Sequence, residues 1–270
     1  MKKMQKMTAL LLCLLMMGSL LAGCGGQQAN ENEIKIGSAL ELTGGTATFG
    51  QSALNGVKLA FEEINAKGGV LGGKKLVLVS EDNKSEPAES ANAVKKLIEQ
   101  DQVTALIGFT ASSNGLAGAP IAQASQVPLV SPATTNPKVT EVGDYIFRVC
   151  FIDPFQGTVG AKFAIDTLKA KKAAIFTDIT SDYSKGLAQF FKESFTQMGG
   201  QIVAEESYSQ KDTDFNAQLT KIKGAAPDII YAPGYYTEVG MIAKQAKQLG
   251  MNQPLMGGDG WDSPKLAEIA

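Results

Sequence analysis

The chain has 270 residues, with 25 basic and 27 acidic side chains and no histidine. Triads built on a histidine base and histidine-ligated metals are thereby excluded, and with Cys13 and Cys24 near the N-terminus and only Cys150 beyond, so are a disulfide framework and a cysteine-based metal site. Arg148 is the only arginine and the lysines are scattered, so neither a nucleic-acid-reading face nor a polybasic membrane patch is present.

The first element is an export signal. Lys2, Lys3 and Lys6 precede an uncharged run from Met7 to Gly23, which is short for a membrane span and wrongly flanked for one. It closes on Leu21-Ala22-Gly23-Cys24, which resembles a bacterial lipobox, where the cysteine thiol takes a diacylglycerol and becomes the mature N-terminus. The alternative is an ordinary signal cut near Ala22. Residues 1–23 are read as a lipoprotein signal peptide and 24–33 as a flexible polar tether, placing the protein outside the cytoplasm on a lipid anchor. Removing 1–23 leaves 247 residues and a net charge of −5, with 22 basic groups against 27 acidic ones.

From Ile34 onward β-prone runs alternate with helical patterns. Strands are predicted at 34–40, 76–80, 103–109, 128–130, 145–150, 173–177, 202–208, 229–232 and 255–256. Between them Leu54, Val57, Phe61 and Ile64 fall at helical spacing, as do Val94, Leu97 and Ile98, then Phe215, Leu219 and Ile222, then Val239, Ile242, Ala246 and Leu249. Such alternation means βαβ units and parallel sheets. There are too many units for one comfortable sheet, and Arg148–Pro154 is a natural crossing. The expected fold is α/β, with two Rossmann-like lobes over 34–152 and 153–270 joined at a hinge.

Ligand sites in such sheets lie beyond the carboxyl ends of the strands. Gly45–Ser52 nearly matches a P-loop but has Gln51 at the lysine position, so a nucleotide is not expected; Phe49 could instead lean into a cleft. In Gly108–Asn114, Ser112 stands at an N-cap position and serves either its own helix or a ligand carboxylate. Ser131–Pro137 offers hydroxyls and backbone groups around Ala133 and Thr135, unless it is a plain proline-bounded turn. In the second half Tyr183, Tyr235 and Asp259, the last among three glycines, can wall and neutralise an amine, or can be core tyrosines and a turn aspartate.

Taken in order, these loops resemble one family. Leu42–Gln51, Ile64–Gly69, Ile107-Gly108 with Ser112-Ser113, Ser131–Thr135, Asp182–Gly186, Gly234-Tyr235 and Gly257–Trp261 are similar to the substrate-binding lipoproteins of branched-chain amino-acid ABC transporters, the leucine/isoleucine/valine type. The resemblance runs from Ile34 to the last residue. It implies a carboxylate site at Ser112, Thr135 and the Ala133 backbone, an ammonium-binding acid at Asp259, and aromatic contacts from Tyr183, Tyr235 and, in place of a tyrosine, Phe49.

The resemblance further implies a type I periplasmic binding protein that is not an enzyme and needs no cofactor or metal. Its ligand is a small amino acid, its partner a transporter permease, and its only membrane contact the lipid anchor. Family members are longer and return to the first lobe after the second, so the first lobe is expected to be incomplete, with apolar surface exposed. Alternatives are an amide or urea ligand on the same scaffold, a sensor role, or an exported α/β enzyme. The last lacks a Gly-x-Ser-x-Gly nucleophile elbow.

Overall fold

The computed structural model describes residues 31–270; the export signal, Cys24 and most of the tether lie outside the described residues. Two parallel sheets organise the chain. The first, ordered β2-β1-β3-β4-β5, contains β1 (Glu33–Leu40), β2 (Lys75–Asp82), β3 (Ala105–Ile107), β4 (Leu129–Ser131) and β5 (Ile146–Arg148). The second, ordered β7-β6-β8-β9, contains β6 (Lys172–Asp178), β7 (Gln201–Tyr208), β8 (Ile229–Tyr231) and β9 (Leu255–Met256). Parallel neighbours need long crossovers, and helices supply them. In the first lobe these are α1 (Ala47–Ala66), α2 (Pro87–Glu99), α3 (Ser112–Ala124) and the single turn α4 (Lys138–Glu141). In the second they are α6 (Asp182–Gln197), α7 (Asn216–Gly224) and α8 (Tyr236–Gln248), with α5 (Asp153–Lys162) leading into β6 and α9 (Pro264–Ile269) following β9.

Period-two patterning explains how the second sheet is buried on both faces. Ala173 and Ile175 of β6, with Ile229 and Tyr231 of β8, join the core under α5 and α6 that holds Phe191 and Phe195. The intervening Ala174, Phe176 and Ile230 join the opposite core, which takes Leu219, Ile222, Ile242 and Ala246 from α7 and α8. In the first lobe Ala39, Leu106, Leu129 and Ile146 pack on Val94 and Leu97 of α2. The stripe Leu54, Val57, Phe61 and Ile64 of α1 is only half-buried. All nine predicted strands are present. The predicted span 103–109 is shorter as β3, although its ladder continues through Thr104 N–H to Lys35 O and Gly108 N–H to Val130 O.

The segment from Val149 to Ile152 joins β5 to α5 and carries the chain from one sheet to the other. Along this seam Phe147, Val149, Phe151, Phe155, Val159 and Phe163 are exposed. No helix among the described residues is long and apolar enough to cross a membrane.

Each sheet has a switch point, where neighbouring strands leave in opposite directions: at β1 between β2 and β3, and at β6 between β7 and β8. The loops after β1, β3, β6 and β8 therefore open crevices at the carboxyl edges. In this molecule the two crevices face each other. Asp182 N–H donates to Ser113 Oγ at 2.8 Å, Asn136 Nδ2 to Asp182 O at 2.8 Å, and Thr237 Oγ1 to Gly45 O at 3.0 Å, so the lobes are in direct contact across the gap.

Candidate functional site

Between the lobes lies a cavity of about 590 Å³, within the range of small-molecule sites. Its first-lobe wall includes Phe49, Thr110, Ala133 and Thr135; its second-lobe wall includes Tyr183, Tyr235, Asp259 and Asp262, and Cys150 and Phe151 come from the crossing. Six of the seven ligand-binding residues expected from the sequence are thus brought to one cavity, from loops more than 200 residues apart.

Ser112 is not among the residues that line it. It is the first residue of α3 rather than its cap; Ala111, in extended conformation, is the cap and makes no side-chain bond. The two backbone N–H groups that lead into that helix are taken by a residue that sequence reasoning missed. Glu41, fully buried, accepts from Thr110 N at 2.9 Å, Ala111 N at 3.1 Å and Asn114 Nδ2 at 2.9 Å. A carboxylate already sits on the helix N-terminus, where its charge is favoured. The Ser112 hydroxyl accepts from Asn136 N at 3.2 Å and so braces the Ala133–Thr135 loop from behind. Thr110, two residues earlier, faces the cavity instead.

Arg148 fixes that loop from a second direction. Its guanidinium donates to Thr134 O, Asn136 O and Pro137 O at 2.8–2.9 Å, and to the Thr140 hydroxyl. The cavity lining itself contains no basic side chain.

Asp259 opens a 3-10 turn, Asp259–Trp261, just after β9. Tyr183 Oη and Gln156 Nε2 each donate to Oδ1 at 2.9 Å, and Gln156 Oε1 takes the Asp259 N–H. The neighbouring glycines are required by close approach. A Cβ at Gly258 would stand 2.6 Å from Tyr183 Oη, and one at Gly260 2.6 Å from Gly234 O. Burial pushes the Asp259 carboxyl above the ordinary range, and the bonds from Gln156 and Tyr183 oppose the shift without cancelling it. Burial, then the Asp259 charge, also raise the phenols of Tyr183 and Tyr235, so both stay neutral donors.

The aromatic residues form one group across the gap. The rings of Tyr183 and Tyr235 stack at 5.1 Å, and Phe49 of the first lobe meets Tyr236 edge-on at 5.3 Å and lies 6.3 Å from Tyr235. Such a wall excludes water and favours an apolar or cationic ligand face. Among the described residues no group of three His, Cys, Asp or Glu is placed to hold a metal ion.

A family model described as "Periplasmic binding protein" matches residues 33–268. The chain belongs to the periplasmic binding protein family. The family is one of binding proteins rather than enzymes, and its crevice between parallel-sheet lobes is the arrangement found here. The chain is 33% identical to an amino acid binding protein of Pseudomonas aeruginosa over 239 residues, 88% of this chain and 63% of that protein. Among solved structures it is similar to a leucine binding protein of Thermotoga maritima, with 45% identity and a TM-score of 0.84 over 87% of this chain and 66% of that one. A branched-chain amino acid transporter substrate binding protein of Streptococcus pneumoniae, in complex with isoleucine, matches at 42% identity and a TM-score of 0.82, covering 88% of this chain and 67% of that one. The chain thus spans about two-thirds of the length of these relatives, and slightly less for the first.

Proposed function

We propose that this is an extracytoplasmic solute-binding protein that takes up an amino acid with a branched aliphatic side chain between its lobes and delivers it to an ABC transporter permease. One observation carries the reading: a half-buried acid with no basic partner, Asp259, shares a cavity with hydroxyl and backbone groups of the opposite lobe at Ala133 and Thr135. A zwitterion matches both poles. Its ammonium neutralises Asp259, and its carboxylate takes the first-lobe donors at Thr135 and the Ala133 turn. Phe49, Phe151 and Tyr235 supply apolar surface for the side chain. What the Thermotoga and Streptococcus relatives bind points to the same ligands. The test is a thermal-shift screen of the twenty amino acids and simple amides. Leucine, isoleucine or valine should raise the melting temperature, because a ligand that binds only the folded state stabilises it; a response to acetamide or urea alone would reject the reading.

The lipobox gives the delivery step its geometry. A receptor tethered through Cys24 meets its permease at high effective concentration, whereas a freely secreted one is diluted. Cys24→Ser is expected to shift the protein from the membrane to the soluble fraction with its leucine affinity unchanged. Retention in the membrane fraction would overturn the lipid-anchor reading.

A further inference from the structure

Among the described residues, eight other than glycine hold a left-handed backbone, which an L side chain adopts rarely. Five of them, Leu71, Gln102, Gln126, Lys169 and Ala226, stand in turns that lead from a helix back to a strand, where that conformation is common. Lys84, Ser85 and Lys211 differ. They lie in strand-to-helix loops, on the carboxyl edges that face across the gap: Lys84 and Ser85 between β2 and α2, Lys211 between β7 and α7. All three flank one contact. The Lys211 ammonium meets the Glu86 carboxylate of the opposite lobe, and this is the one ion pair between the lobes among the described residues.

Each side is built to hold that contact. Glu86 is the cap residue of α2, yet its side chain makes no bond to its own helix and turns across the gap instead. The left-handed pair before it is fixed by Asp82, whose Oδ1 accepts from Lys84 N at 2.8 Å, and by Asn83, whose Oδ1 accepts from Ser85 N at 3.0 Å. The Lys84 ammonium is occupied by Glu89 at 3.1 Å, which leaves Glu86 to Lys211. In the other lobe, Lys211 N donates to buried Glu238 at 3.1 Å and Gln210 N to Thr180 Oγ1 at 3.1 Å. A strained backbone persists where its surroundings over-determine it, as they do on both sides here. The position matters as much as the strain. The crossing leaves the first sheet at β5 and, through the bond from Gln156 to Asp259, lies beside the loop after β9. β2 and β7 are the opposite edges of the two sheets. A hinge motion about the crossing therefore separates Glu86 from Lys211 more than it separates groups near β5 and β9.

We propose that Glu86 and Lys211 form a clasp that holds the lobes closed and sets how long a bound ligand stays. The inference rests on the solute-binding reading above, in which the ligand enters and leaves when the lobes part. Neither residue lines the ligand cavity, so the clasp acts on the closed state and not on the ligand. Both side chains reach solvent. An exposed pair of this kind shifts an equilibrium by about two- to fivefold, and salt weakens it. Each of the other bonds across the gap named above has an uncharged group on at least one side, so salt acts selectively on the clasp. The ammonium contact at Asp259 lies inside the cavity, where screening is weaker.

Stopped-flow release of leucine, with calorimetry on the same preparations, tests the proposal. Lys211→Met and Glu86→Gln should each speed release by about two- to fivefold and leave the association rate unchanged. Lys211→Glu should speed it further, because two like charges then face each other. The exchanged double variant, Glu86→Lys with Lys211→Glu, should return to within about twofold of wild type. A merely structural role for either residue would not be rescued by the exchange. Raising the ionic strength from about 0.02 M to about 0.5 M should speed wild-type release and leave that of Lys211→Met nearly constant. This arm keeps the test open if the exchanged variant folds poorly. Release from Lys211→Glu at the wild-type rate, an exchanged variant no slower than Lys211→Glu, or a full salt response in Lys211→Met overturns the clasp while leaving the ligand assignment intact. Wild-type protein that gives no leucine heat overturns both.

Discussion

Asp259→Asn is expected to weaken leucine binding by roughly two to four orders of magnitude, corresponding to about 3–5 kcal/mol for removing one member of a desolvated charge pair. The substitution is nearly isosteric. Its carbonyl can still accept from Tyr183 and Gln156, so the 257–261 turn keeps its bonds and the loss isolates the charge. Ligand-free stability should change in the opposite direction. The raised Asp259 carboxyl means that the folded state binds its proton more tightly than the unfolded chain does. Stability therefore falls as the pH climbs from the ordinary carboxylate range to the raised value, and the Asn variant is free of that fall. At neutral pH the variant should melt higher than wild type while binding far more weakly, the trade-off expected of a site held ready for a ligand. Calorimetry and thermal melts on the same preparation measure both effects. Leucine affinity within a few-fold of wild type would reject Asp259 as the ammonium partner.

Gln156 ties the Asp259 turn to the start of α5: its carboxamide donates to Asp259 Oδ1 at 2.9 Å, 103 residues on in the sequence, and reaches Asp153 Oδ1 at 3.4 Å. Sequence reasoning found Asp259 through its glycines and its place after a short strand, but had no route to Asp153 or Gln156. The sequence pattern marked 148–154 only as the crossing; α5 starts inside it at Asp153, whose N–H meets Thr135 O at 3.0 Å because the crossing places that helix end against the loop. Glu41 was hidden for the same reason. It follows β1 in the sequence but bonds the start of a helix 70 residues away, where Ala111 and not Ser112 is the cap. The strands, by contrast, were legible throughout, because period-two burial is local. The weakest match was the short β3, whose ladder outlasts its regular geometry.

Arg148→Lys is expected to destabilise the protein by about 2–4 kcal/mol and to weaken leucine binding in parallel. The wild-type fork satisfies three carbonyls and a hydroxyl of the segment 134–140 at once. A lysine ammonium is a point donor on a flexible stem and cannot span that set. Two of the carbonyls belong to Thr134 and Asn136, which are buried, and an orphaned buried acceptor costs about 1–3 kcal/mol. That is a sizeable fraction of the roughly 5–15 kcal/mol that holds a domain folded. The affinity loss follows because the same segment carries Thr135 and continues from Ala133; once it is released, donors that now sit ready for a carboxylate must be ordered by the ligand itself. Denaturant unfolding and calorimetry separate the two effects. A variant within about 0.5 kcal/mol of wild type, the range of an ordinary surface substitution, would mean that Ser112 and Ser131 hold the loop without Arg148. A variant that is destabilised yet binds leucine normally would break the link between the clamp and the site.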